Sequence, residues 1–404
     1  MNTSPSDTTQ PQPAKRRRTR TVVAVSVAAA LLAGTVSLGA WSRTVERSSE
    51  ARPVQQRMQS LVDAGYPAAL ASVTEPDGTV VDIAVGTGDI STGEKPPVDG
   101  EVRIASNTKM FVATLVLQLV EEGKVALDAP VDTYLPGLIT GDGIDGTRIT
   151  VRQLLQHTAG LPEYADQIAA DAFGAQELYI SPHDMLDVAL AKPAVFAPGQ
   201  RWEYSNTNYL VLGLLIEGVT DRALAQQIDE RIVHPLDLEH TYFPAPGERQ
   251  LRGDHPHGYH AKKVGDLRDI TALDTSFAWS AGALVSTPHE MNVFMKALLD
   301  GELLNAQSLA EMQTTVPAGD ELWPEASYGL GLQSYPLSCG GVAWGHGGDI
   351  PGTQTRNAVG PDGTAVSIAV TSLPWAVVSP DDDEKLLEQY RIVVDALDET
   401  LCDE

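Results

Sequence analysis

Strand patterns at both ends of the chain and helical patterns between them predict an α+β fold: an antiparallel sheet built from both chain ends, flanked by helices, with a mostly helical inserted subdomain. Three observations carry this. Alternating apolar residues from Ala68 to Val85 surround the turn Pro76-Asp77-Gly78, the pattern of a β-hairpin. Four further strand-like runs lie near the C-terminus, over 328–334, 341–346, 353–359 and 364–372. Between the two groups, residues 124–275 have few such runs and many Pro, Gly and Asp turns.

The elements follow in chain order. Residues 1–14 are polar and rich in Ser, Thr and Pro. A basic run, Lys15-Arg16-Arg17-Arg18-Thr19-Arg20, precedes an uncharged apolar stretch from Val22 to Trp41. That order is an export signal, read either as a cleaved signal peptide or as a retained membrane anchor. Residues 1–44 are thus expected to be a leader, and residues 45–404 the folded domain. Its α/β part covers about 55–123 and 276–404, and its helical part about 124–275. Ser106 opens an apolar helix that runs to about Glu122, with Gly123 in the C′ position. Another helix lies between Gly282 and Gly301, capped near Ser286-Thr287-Pro288. The turn Pro361-Asp362-Gly363-Thr364 joins the last two strands. A final helix starts in Ser379-Pro380-Asp381-Asp382-Asp383-Glu384, where cap residues and acids suit the positive end of the helix dipole, and reaches Leu401.

Charge narrows the partners. The 404 residues carry a formal charge of −26, and the basic leader hides part of the excess. With its six bases and one acid set aside, residues 44–404 carry −31. Such a surface repels phosphate backbones and anionic lipid, so neither nucleic acid nor a membrane surface is an expected partner, apart from an N-terminal anchor. The chain has two cysteines, Cys339 and Cys402. In an exported protein an isolated pair is expected to form a disulfide, two separate buried thiols being the alternative. His255, His257 and His260 share a Pro/Gly-rich loop, but no acid or cysteine completes a metal site there. No metal or cofactor is expected, and His157 reads as structural.

Three short segments carry chemistry. In Ser106-Asn107-Thr108-Lys109, the serine and lysine lie on one helix face. The helix N-terminus favours a developing negative charge at Ser106. Lys109 sits among apolar residues, where burial would lower its pKa enough to make it a base for the serine. The same spacing also fits a serine N-cap followed by a snorkelling lysine. In Tyr204-Ser205-Asn206, the tyrosine is suited to shuttling a proton, with a nearby cation favouring its phenolate. Asn206 offers a donor and an acceptor to a substrate amide; it equally fits a helix cap. In His346-Gly347-Gly348, glycines on a strand allow close approach of a ligand backbone. The histidine can bond the tyrosine and add positive character, or be structural. No Gly-x-Ser-x-Gly elbow occurs, and no glycine-rich phosphate loop is evident.

In this order, Ser-x-x-Lys, Tyr-Ser-Asn and His-x-Gly, the set resembles the serine D-Ala-D-Ala carboxypeptidase and class C β-lactamase family, nearer the carboxypeptidase branch. The resemblance spans roughly residues 55–400. It is supported by Leu154-Leu155-Gln156-His157-Thr158-Ala159-Gly160, Trp279-Ser280-Ala281-Gly282, Tyr328-Gly329-Leu330-Gly331-Leu332 and Leu337-Ser338-Cys339-Gly340. It implies Ser106 as the acylated nucleophile, with Lys109 and Tyr204 sharing the base work. It also implies Asn206 as the ligand of the substrate amide and His346 where class C β-lactamases have lysine. The oxyanion hole would be the N–H groups of Ser106 and Asp349, and Trp279 a groove wall. The implied activity is that of an exported D-alanyl-D-alanine carboxypeptidase acting on peptidoglycan peptides, with β-lactams as covalent inhibitors. An esterase, amidase or β-lactamase of the same fold, or a non-catalytic penicillin-binding protein, is the alternative. Departures bear on the substrate. Gly347 stands where threonine is usual, Asp349 places an acid near the expected carboxylate subsite, and Gln333 stands where arginine might be expected. Arg356 on the following strand is expected to pair with Asp349 and to receive the carboxylate.

Overall fold

The structure is a computed structural model and describes residues 51–165, 171–319 and 323–403. The expected leader, with its signal or anchor, lies outside the described residues. Among the described residues, no helix is long and apolar enough to cross a membrane.

Alternation of apolar side chains builds the sheet. The N-terminal hairpin is β1 (Ala68–Thr74) and β2 (Val80–Gly86). The C-terminal strands are β3 (Val316–Pro317), β4 (Ser327–Tyr328), β5 (Gln333–Pro336), β6 (Val342–Ile350), β7 (Thr353–Val359) and β8 (Ala365–Val370). They form one eight-stranded antiparallel sheet in the order β2-β1-β8-β7-β6-β5-β4-β3. The two chain ends meet where β1 pairs with β8, from Ala69 opposite Val370 to Thr74 opposite Ala365. The run 328–334, expected as one strand, is a tight hairpin, with Tyr328 opposite Gln333. The reason is Gly331, which turns the chain at a φ of +76° and leaves no room for a Cβ against Ala113.

Every residue of β1 is buried, so both faces of the sheet are covered. Leu70 joins the larger core, while Ala69, Ala71 and Val73 join a second one on the other face. That second face is covered by a helix over 51–63 and by α4 (Asp383–Leu401), which contributes Val393, Leu397 and Leu401. The first face is covered by α3 (Pro288–Leu299) and, behind it, α1 (Thr108–Glu121). The α1 helix is apolar almost all round and is buried as such a helix must be. Its Phe111 ring stacks on Phe294 of α3 with centroids 3.7 Å apart. Gly123 ends it with the bond pair of a Schellman motif, Gly123 N–H to the Val120 carbonyl and Lys124 N–H to the Leu119 carbonyl. The inserted region packs α2 (Asn206–Thr220) against α1, accompanied by the short helices Val151–Leu155 and Pro182–Leu190. A disulfide, Cys339 to Cys402, joins the turn between β5 and β6 to the end of α4.

Candidate active site

Three elements converge on Ser106. A 3₁₀ turn, Ala105–Asn107, enters α1 and carries the serine. Ala105, just before it, is held at a φ of +48°, a strained conformation for a residue with a Cβ. Asn107 is fully buried and fixes the turn. Its Nδ2 donates to the Ile104 carbonyl at 2.7 Å and to Thr355 Oγ1 at 2.6 Å, while its Oδ1 accepts from Asn357 at 2.9 Å. The strand side must come equally close. A Cβ on Gly348 would sit 2.2 Å from the Ile104 carbonyl oxygen, so this glycine serves the packing of β6 on the nucleophile turn.

Lys109 is completely buried. Its Nζ lies 2.9 Å from Ser106 Oγ, 2.8 Å from Asn206 Oδ1 and 2.7 Å from the Ala281 carbonyl oxygen. Burial pulls its pKa from the ordinary 10.5 to about 7, against an opposing pull from the Glu163 carboxylate. A charged lysine donates all three bonds. A neutral one has two hydrogens and one lone pair. Asn206 and Ala281 offer only acceptors, so the two hydrogens go to them and the lone pair faces the serine hydroxyl.

Glu163, which belongs to none of the three motifs, sets this geometry. Its Oε2 accepts from the Asn206 backbone N–H at 2.6 Å and from Asn206 Nδ2 at 3.2 Å, while Oε1 accepts from Ala165 N–H at 2.7 Å. The Asn206 amide is thereby turned with its oxygen toward Lys109. Asn206 is both the first residue of α2 and a holder of the lysine, and it also lines the cleft.

Tyr204 and Ser106 line the same cavity, and the Tyr204 ring centroid lies 4.9 Å from Lys109 Nζ. Burial raises its pKa, so the hydroxyl keeps its proton rather than resting as the expected phenolate. Behind it lies the His157 ring, tilted by 31° with centroids 4.3 Å apart.

His346 departs from expectation. Its Nε2 bonds Tyr328 at 2.9 Å, and its ring centroid is 6.3 Å from that of Tyr204. Burial, helped by nearby Lys109, lowers its pKa to about 3, so it adds no positive charge. The protons along this line can be assigned. Ser205 N–H donates to His157 Nδ1 at 3.2 Å, leaving the His157 proton on Nε2, 3.2 Å from the Tyr328 oxygen. The Tyr328 hydroxyl then donates to His346 Nε2, and His346 Nδ1 donates to the Gly347 carbonyl.

The edge of β6 faces the cleft. It pairs with β5 only as far as Gly345, whereas its pairing with β7 continues to Ile350. Asp349 lies on this edge and is held by Arg356 through two bonds, Nη1 to Oδ1 at 3.1 Å and Nη2 to Oδ2 at 3.2 Å. Arg356 is 5% exposed and offers no free guanidinium to a ligand. Ser106 and Asp349, the expected oxyanion donors, line two adjoining cavities of about 620 and 550 Å³.

Trp279 is not a wall of that cleft. It packs against Gly213 on α2 and lines a separate cavity with Tyr179 and Phe243. From its segment the site takes instead the carbonyl of Ala281. Of the loop histidines, His257 pairs with Asp269 and His260 lines the larger cleft cavity. No cluster of three metal-ligating side chains occurs among the described residues.

Comparison with known proteins places this geometry. A family model described as Beta-lactamase matches residues 51–391. A Salmonella typhi protein named "Putative D-alanyl-D-alanine carboxypeptidase" is 29% identical over 305 residues, 68% of this chain and 70% of that protein. Among solved structures, a D-stereospecific amidohydrolase from Streptomyces sp. is 34% identical with a TM-score of 0.74, covering 83% of this chain and 96% of its own. A D-amino acid amidase from Ochrobactrum anthropi SV3, complexed with L-phenylalanine amide, is 25% identical with a TM-score of 0.75, covering 87% and 99%.

Proposed function

This chain belongs to the beta-lactamase family of serine hydrolases, and from that membership we propose that it hydrolyses short D-amino-acid amides and peptides that bear no free carboxylate next to the scissile bond. The Ser106 hydroxyl gives its proton to neutral Lys109 and attacks the carbonyl carbon. The N–H groups of Ser106 and Asp349 receive the oxyanion. Tyr204 protonates the departing nitrogen, and water then releases the acyl group by the reverse sequence.

One observation carries the substrate reading: the charge of Arg356 is already matched. Among the described residues, the cations lining the two cavities are Lys262 and Arg356, which pair with Asp171 and Asp349. A substrate carboxylate would have to displace an existing ion pair, whereas a neutral amide would not. The amidohydrolase and amidase names of the structural relatives support the same substrate class.

A D-Ala-D-Ala carboxypeptidase remains the second reading, favoured by the name of the Salmonella relatives. There Arg356 would swing from Asp349 to the substrate carboxylate. The discriminating measurement is kcat/KM for D-phenylalanine amide against an N-acylated D-Ala-D-Ala peptide, with intact mass after penicillin treatment. The proposal expects the amide to be preferred. Preference for the peptide, together with a raised KM in Arg356→Ala, would overturn it. A stable penicillin adduct on Ser106 would add weight to the carboxypeptidase reading. The same proposal places the enzyme outside the cytoplasm, because a basic run precedes the apolar segment 22–41. A reporter fused after residue 44 that was active only in the cytoplasm would reverse that placement.

A further inference from the structure

The cleft divides at the nucleophile. Ser106, Asn206 and Asp349 line both cavities, but Tyr204 and His346 line only the one of about 550 Å³. Tyr204 holds the proton that the departing nitrogen must receive, so that nitrogen leaves on the Tyr204 side. The acyl half then lies in the cavity of about 620 Å³.

The departure side is much larger than ammonia requires. A molecule of that size occupies about the 30 Å³ of a water. Its wall is aromatic: Trp323 stacks on Tyr335 with centroids 4.4 Å apart, and Trp202 lines the same space. Val394 and Leu397 of α4 add an apolar patch. The Trp202 ring thus adds to the apolar wall of this space.

We propose that this cavity is a leaving-group subsite, and that the enzyme favours substrates whose departing amine is bulky and apolar. The inference rests on the amide-hydrolase reading of the same site. The bond changes balance. Ser106 Oγ bonds to the carbonyl carbon as its proton passes to Lys109. The C–N bond breaks with its electron pair going to nitrogen. Tyr204 protonates that nitrogen and is reprotonated from Lys109, and the amine leaves neutral.

The test holds the D-phenylalanyl acyl group constant and varies the amine through ammonia, methylamine, benzylamine and phenylalaninamide. The expected kcat/KM rises about tenfold or more from methylamide to benzylamide, mostly through KM. Phenylalaninamide, also bulky and apolar, stays well above methylamide. Filling the cavity with Ala318→Phe collapses the benzylamide-to-methylamide ratio toward one. Trp202→Ala, which removes part of the aromatic wall, weakens benzylamide more than methylamide. A flat series, or an Ala318→Phe variant that slows every substrate equally, overturns the subsite. If no D-phenylalanyl amide is cleaved, the amide reading fails on its own. The benzyl and methyl esters of the same acid then still report on the cavity, and equal rates for the two would overturn it.

Discussion

The nucleophile turn and the strand edge facing it follow opposite electrostatic plans. Around Ser106, one ionisable amine is buried among neutral acceptors, and its charge is negotiable because burial has brought its pKa to about 7. Across the cleft, Asp349 and Arg356 are both charged and cancel each other through two bonds. The first arrangement stores reactivity: little protonation energy separates the resting lysine from the working one. The second stores selectivity, since any ionic substrate group has to compete with a partner already in place. The contrast sets a wall whose charge can change against a wall whose charges are already matched.

The largest effects should come from removing the negotiable charge. Ser106→Ala is expected to lower kcat by about 10⁴-fold or more and to abolish any acyl adduct by intact mass. Lys109→Arg should fail nearly as badly, by about 10³-fold, because a guanidinium cannot give up its proton. In the wild type, kcat/KM should rise with pH through about 7 as Lys109 deprotonates. Folding stability should move the same way. Above pH 7 and up to the ordinary lysine value near 10.5, the unfolded chain holds a proton that the folded site has shed, so raising the pH favours the folded form. An activity profile with no limb near neutrality would remove Lys109 from the role of base.

Next in size is Glu163→Gln. It loosens the Asn206 amide and should cost about tenfold or more in kcat. Its sharper signature is directional. Glu163 holds the Lys109 pKa up, so removing its charge should shift the acid limb to lower pH even as the rate falls. A falling rate with an unmoved or raised limb would reduce Glu163 to packing. On the other wall, Asp349→Asn frees the Arg356 guanidinium. It should raise kcat/KM for carboxylate-bearing peptides several-fold relative to amides, with some loss of Tm from the unpaired buried arginine. Steady-state comparison of the two substrate classes checks this.

The sequence made the first wall more legible than the second. Ser106, Lys109 and Tyr204 are recognisable because a lysine in an apolar helix is a local anomaly and because Ser-x-x-Lys, Tyr-Ser-Asn and His-x-Gly follow one another in that order. The sheet was legible from its alternating strands, except that 328–334 concealed the turn at Gly331. Two kinds of residue stayed hidden. Glu163 sits in an irregular stretch with no periodicity to make an acid conspicuous; the only pointer was its closeness to the Gln156–Gly160 segment. Ala281 acts through a backbone carbonyl, which leaves no trace in residue identity, whereas its neighbour Trp279 is conspicuous by its side chain. The role of His346 is not legible because its partner, Tyr328, lies on another strand, and because burial removes the positive charge that a histidine can lend.

Tyr328 links the two walls, and testing it is the most delicate comparison. Its hydroxyl stands between His157, which backs the Tyr204 ring, and His346 on the strand edge. All three residues are buried. Tyr328→Phe keeps the ring and removes one oxygen, leaving a donor on His157 and an acceptor on His346 unmet, at a cost of about 1–3 kcal/mol in stability. If the line only braces the scaffold, Tm falls while kcat and the pH limb stay put. If it positions Tyr204 against the strand, kcat falls about threefold for poor leaving groups, which depend on protonation by Tyr204, while good leaving groups are spared and KM holds. The close contact of His157 with Tyr204 favours the second outcome, because any movement of that imidazole is transmitted to the phenol that shares the cavity with Ser106.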